Sequence, residues 1–277
     1  MIPAAFTYRR VSTVEEALAL LAEHGDDAKL LAGGHSLLPL MKLRLAAPEV
    51  LVDVAGIADL RYVRLDGDTV RIGALSRYHD LQQDEILLEH ARLVAHAAGV
   101  VGDPQVRHRG TIGGSVAHAD PAADVPAALL ASDAALVIAG PQGSRTVPAA
   151  EFFLGPFTTA LGPDELLTEI QVPSKAGTGW GFEKFTRRAI DWAIVGVAAV
   201  GQSVALINMG GTPLRAKATE AALTNGASIE DAAAQAAEDT TPVDEPHATA
   251  AYRKHLARVL TARALEQAAG RTPAGLS

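Results

Sequence analysis

The feature that most constrains this chain is a pair of glycine turns that carry hydroxyl side chains. Leu31-Ala32-Gly33-Gly34-His35-Ser36-Leu37 follows an apolar run, and Arg109-Gly110-Thr111-Ile112-Gly113-Gly114-Ser115 repeats the same chemistry far downstream. Adjacent glycines let the backbone turn sharply and bring bare N–H groups close to an anion, while Ser36, Thr111 and Ser115 add hydroxyl donors. Taken alone, the first turn reads equally as a tight strand-to-helix connection. Two such turns suggest two walls of one phosphate cradle, because a pyrophosphate needs many short donors and no bulk.

Other chemistries are disfavoured one by one. Neither turn has G-x-G-x-x-G spacing or a Gly-Lys-Ser/Thr ending, which argues against a Rossmann cofactor or a nucleoside triphosphate. Gly34-His35-Ser36 lacks the closing glycine of a hydrolase nucleophile elbow, since Leu38 stands there. The 277 residues include no cysteine, so disulfides, cysteine-ligated clusters and a catalytic thiolate are excluded. Lys+Arg 24 against Asp+Glu 32 gives a net charge of −8 without a long basic run, which argues against nucleic acid as a partner. His118-Ala119-Asp120-Pro121-Ala122-Ala123-Asp124 has ligand-type residues, yet the turn at Pro121 favours a capping or ribose role for the acids over a metal site.

Along the chain, residues 1–57 read as a β-α-β segment. Ser12 and Glu15 form a capping-box pattern before Val14, Ala17, Leu18 and Leu21, and Gly25 is placed to end that helix. Residues 62–72 form a hairpin about Asp66-Gly67, followed by helices at 78–83 and 86–98. The stretch 102–124 shows no periodicity and is expected to be an irregular functional loop. Further strands are expected at 135–138, 145–147 and 166–172, a linker at 173–181, a strand at 182–187 and an alanine-rich helix at 248–269. Residues 192–214 carry no charge, but Gly201-Gln202-Ser203 splits them into β-branched, alanine-rich arms, so a buried hairpin is favoured over a membrane span. The first residues lack an apolar signal-type run, and a cytoplasmic location with no transmembrane segment is expected. The fold class is α+β, with strands mostly antiparallel after the first segment.

The two turns carry a family resemblance. Ala32-Gly33-Gly34-His35-Ser36-Leu37-Leu38-Pro39-Leu40-Met41-Lys42 and Gly110-Thr111-Ile112-Gly113-Gly114-Ser115, with Ala119-Asp120-Pro121-Ala122-Ala123-Asp124, resemble the two FAD motifs of the medium subunits of molybdenum hydroxylases, the xanthine dehydrogenase family. Within it the aerobic carbon monoxide dehydrogenase branch is the most similar. The resemblance implies an FAD-binding domain of the PCMH/vanillyl-alcohol-oxidase type over 1–177, itself divided at 57/58, and a small α+β domain over 178–277. It implies non-covalent FAD, its pyrophosphate held between Leu31–Leu37 and Thr111, Ile112, Gly113, Gly114 and Ser115, with Asp124 on the ribityl or ribose side. Val101 and Leu167 fall where the family packs or hydrogen-bonds the cofactor, Lys184 near a position that reaches the flavin, and Trp192 where a tyrosine often covers the isoalloxazine.

The resemblance further implies a small iron–sulfur partner subunit and a large molybdopterin partner subunit, assembled as a dimer of heterotrimers. The clusters and molybdenum would sit on those partners, and a quinone acceptor would bring the assembly to a membrane surface. On this reading electrons pass from a two-iron cluster through FAD to an external acceptor, and the substrate (carbon monoxide, an aldehyde, a purine or an N-heterocycle) is set elsewhere. A stand-alone FAD oxidase or reductase is the alternative. Two departures are Ser115, where many relatives have asparagine, and Trp192 itself; the turn at Gly201 is also shorter than usual.

Overall fold

The computed structural model describes residues 2–271; the outermost ends of the expected domains, 1 and 272–277, lie outside the described residues. Three larger sheets follow one another, beside a two-stranded one of Phe153–Gly155 and Thr158–Thr159. The first is parallel, ordered Thr7–Arg10, Val50–Asp53, Ala28–Leu31, with the helix Val14–His24 burying Ala17 and Leu21 against it. The second is antiparallel, ordered Val63–Asp66, Thr69–Gly73, Leu166–Pro173, Ala135–Gly140, Gly143–Pro148. The third, also antiparallel, is ordered Trp180–Phe185, Val195–Val200, Ser203–Ile207, Leu214–Arg215.

Residue alternation explains the uncharged hairpin. Val195, Val197 and Ala199 point into a core closed by the helix Ala250–Ala268, whereas Ala198 and Val200 join the large core shared with the second sheet. A strand covered on both faces has no place for a charge. The buried hairpin is therefore what the sequence predicts, and among the described residues no helix is long and apolar enough to cross a membrane. The helix Asp124–Ala131 is buried along its whole length between the third sheet and the helices Arg92–Gly99 and Ile112–His118, which puts Asp124 at the seam of the two halves.

Several local expectations shift. The first helix is capped by Thr13, whose hydroxyl accepts from the Glu16 N–H, while the Glu16 carboxylate takes the Ser12 N–H; the box is displaced by one residue from Ser12 and Glu15. The helix expected at 86–98 is two, Glu85–His90 and Arg92–Gly99, broken where Ala91 adopts φ −145° and ψ 47°. The stretch 102–124 is not irregular: Asp103 caps the helix Pro104–Arg107, and Thr111 caps the helix Ile112–His118. Short capped helices of this kind have too few turns to show a period. The expected strand 166–172 is the middle strand of its sheet, and the expected linker 173–181 is trimmed at both ends, with Pro173 closing one strand and Trp180 opening the next.

Candidate cofactor site

The first glycine turn leaves the strand Ala28–Leu31 and enters the short helix Leu37–Lys42. Gly34 holds φ +79°, a conformation that side chains resist. The N–H groups of Gly34, His35, Ser36 and Leu37 meet no acceptor among the described residues. The second turn behaves differently. Its Ile112 N–H donates to Ser76 O at 3.0 Å, Gly113 to Ala74 O at 2.8 Å, Gly114 to Thr111 Oγ1 at 3.2 Å and Ser115 to Thr111 O at 3.2 Å.

The expectation that both turns present bare amides is thus met by the first alone. The second is a packing wall. A Cβ on Gly113 would stand 2.6 Å from Ala74 O, and one on Gly114 would stand 2.8 Å from the capping Thr111 hydroxyl. These glycines let the helix Ile112–His118 close on the end of the second sheet, so that its first turn faces the first turn across a gap.

That gap is a cleft of about 870 Å³, in the size range of small-molecule sites. Leu31, Ala32, Gly33, Gly34, His35, Ser36, Leu37, Val101, Thr111, Gly113, Gly114, Ser115, Asp124, Leu167, Lys184 and Trp192 all line it. Ile112 does not; it is fully buried in the large core, where an apolar side chain between two glycines has to go.

Asp124 and Lys184 meet in the cleft wall. Lys184 Nζ donates to Asp124 Oδ2 at 2.7 Å and to Val100 O at 3.2 Å, while Asp124 Oδ1 is buried with no protein partner. Burial pushes the Asp124 acid up from 3.8 to about 6, against the opposing pull of the Lys184 ammonium. Trp192 is 57% exposed at the cleft mouth. Asp120 serves its own turn, its Oδ1 accepting from the Ala122 N–H at 2.9 Å, and the helix beyond it begins only at Asp124, with Ala123 as its cap.

Sequence reasoning missed two aromatic residues of the cleft. Tyr78 is buried behind Gly110, with burial raising its phenol far above the usual range, and Phe157 sits at φ +55° with its ring 5.1 Å from that of His118. Nothing local marks Tyr78 in an ordinary helical run, nor Phe157 in a short turn.

The site and fold define a flavin-binding protein of a particular domain arrangement. Residues 4–175 match the FAD binding domain in molybdopterin dehydrogenase, and residues 180–268 match the CO dehydrogenase flavoprotein C-terminal domain. The chain is 44% identical to the carbon monoxide dehydrogenase medium chain of Hydrogenophaga pseudoflava, over 97% of this chain and 98% of that one. It is 37% identical to the glyceraldehyde dehydrogenase medium chain of Sulfolobus acidocaldarius, over 97% and 100%. The solved carbon monoxide dehydrogenase of Hydrogenophaga pseudoflava lacking the Mo-pyranopterin moiety superposes with a TM-score of 0.94 at 46% identity, covering 99% of this chain and 100% of that chain.

The chain belongs to the FAD-binding medium subunits of the molybdenum hydroxylases, of the carbon monoxide dehydrogenase and xanthine dehydrogenase type. It is an oxidoreductase subunit, and the stand-alone oxidase is disfavoured by relatives that are medium chains from end to end. The observed residues suit FAD. Free amides answer a pyrophosphate, the orphaned Asp124 Oδ1 answers a sugar or ribityl hydroxyl, and the apolar walls answer flat rings.

Proposed function

We propose that this chain carries electrons within a multi-subunit hydroxylase, from a two-iron cluster on a small partner subunit to an external acceptor, while substrate is oxidised at molybdenum on a large partner subunit. FAD, bound non-covalently, supplies the redox step between them. The observation that carries this reading is the pairing of four unspent amides on the first turn with a buried, half-satisfied Asp124 across the same cleft.

Each part of the wall has its work. The amides of Gly34, His35, Ser36 and Leu37 take the pyrophosphate oxygens, and the second turn fixes the gap rather than donating. Asp124 Oδ1 accepts a hydroxyl proton, and Lys184 holds that carboxylate in place. Val101 and Leu167 supply apolar contact, and Trp192 screens the mouth from water. The division falls at 177/178, with the first unit itself divided at 57/58.

With no cysteine in the chain, iron–sulfur ligands must come from another subunit. Relatives named for carbon monoxide and for glyceraldehyde keep the whole length of this chain, so the substrate is chosen on the large partner. The assembly we envisage is a cytoplasmic dimer of heterotrimers that meets a membrane only through a quinone acceptor. Acid precipitation of the purified chain tests the cofactor: FAD should pass into the supernatant at one per chain, and flavin left in the pellet contradicts the proposal.

A further inference from the structure

Behind the second glycine turn lies a second, small pocket on the far side of the cleft wall. Ala32, Leu75 and Thr111 form a wall common to it and to the cleft, and its other lining includes Arg61, Arg77 and Arg109. These arginines come from separate segments brought together by the fold: Arg77 bridges to Thr111 in the backbone, and the Arg61 guanidinium donates to Ala55 O. A fourth, Arg10, is next door, its Nε 3.2 Å from where a Cβ on Gly56 would stand.

None of the four has a carboxylate within 4.0 Å among the described residues. Asp53, on the neighbouring strand, commits its oxygens to the Tyr8 hydroxyl and the Ala55 N–H. In a chain of net charge −8, acidic partners are in surplus, so four arginines left uncompensated at one place mark a surface that expects an outside anion. The pocket volume, about 10 Å³, admits a single water-sized group and not a nucleotide.

From this we infer that the arginine pocket is a docking point for an acidic side chain of a partner subunit, its carboxylate lying across the pocket mouth against Arg61, Arg77 and Arg109 with one oxygen entering. Arg10 widens the positive rim that steers it in. Guanidinium forks suit a carboxylate, and such pairs set orientation and encounter rate more than they add bulk affinity. Placed behind the glycine turns, the contact would lock the partner against the wall that fixes the cofactor gap. It rests on the multi-subunit reading above.

The test uses the full FAD-loaded chain and the separately purified partner subunits. Arg77→Glu with Arg109→Glu should weaken association about a hundredfold, and Arg77→Gln with Arg109→Gln about tenfold, with FAD content and circular dichroism as in the natural chain. The natural chain should also associate more slowly as sodium chloride rises, and the glutamine pair should lose most of that dependence. Association of both pairs at natural strength overturns the inference. So does binding of the natural chain to vesicles of anionic lipid, abolished by the same substitutions, with subunit association intact. Should the natural chain bind neither partner, it is the multi-subunit reading that falls, and this inference with it.

Discussion

Gly33 lies against the second turn so closely that a Cβ on it would stand 2.5 Å from Arg109 O and 2.9 Å from Gly110 Cα. The two glycine turns are therefore in backbone contact at their base and open only at the cleft. Gly33→Ala should force them apart, costing about 1–3 kcal/mol and most of the bound FAD. Thermal unfolding and flavin content after gel filtration check it; unchanged values for both contradict it. His35, whose side chain is exposed, should tolerate alanine with little loss of FAD.

Gly34→Val attacks the same turn by another route. At φ +79° a β-branched residue is strained, and its Cβ would press on Leu38 at 2.9 Å. The free amides should turn away from the cleft and FAD binding should fall at least tenfold, while circular dichroism stays native. Gly114→Val should act instead through the helix, by crowding the Thr111 cap.

Asp124 should make stability depend on pH in a defined direction. Its folded acid is raised above its unfolded value, so the folded chain holds the proton more tightly and loses stability as pH rises from 3.8 toward about 6. The full swing is roughly 3 kcal/mol. Asp124→Asn removes it: denaturant titrations across this window should show the natural chain losing ground to the variant as pH rises. A constant difference refutes the assignment.

Arg253 is a prediction about folding alone. Its guanidinium is buried, donating to Ile194 O at 3.0 Å, to Asn208 O at 3.3 Å and to the Glu245 carboxylate. Arg253→Met should cost ~3 kcal/mol by leaving those acceptors unanswered. Urea unfolding reads the loss directly.

Much of this was legible because it is local. Gly25 ending the first helix, Asp66-Gly67 turning a hairpin and Gly201 splitting an uncharged run each act within a few residues. What the sequence hides is long-range. That the Ile112 and Gly113 amides of the second turn are spent depends on Ser76 and Ala74, which reach it only through the fold, and that Asp124 meets Lys184 depends on a seam between halves. Arg253 looks like one more charge on a polar helix, and only the carbonyls of Ile194 and Asn208, at the ends of the third sheet's two middle strands, make it a core residue.

Trp192 should separate the two directions of electron flow. Because it is exposed and lines the cleft mouth, Trp192→Ala should leave stability within about 0.5 kcal/mol of the natural chain. It should change flavin reoxidation by the acceptor more than reduction by the partner cluster. Equal effects on both rates in stopped-flow traces contradict the proposed place of Trp192 over the cofactor.

Anaerobic stopped-flow of the FAD-loaded chain, alone and in complex with its iron–sulfur and molybdopterin partners, tests the central claim most directly. Mixed with a panel of carbon monoxide, aldehydes, purines and N-heterocycles, the lone chain should keep its flavin absorbance, and the complex should bleach with one of them. Rapid bleaching of the lone chain by a small organic substrate would contradict the account and make it an oxidase in its own right.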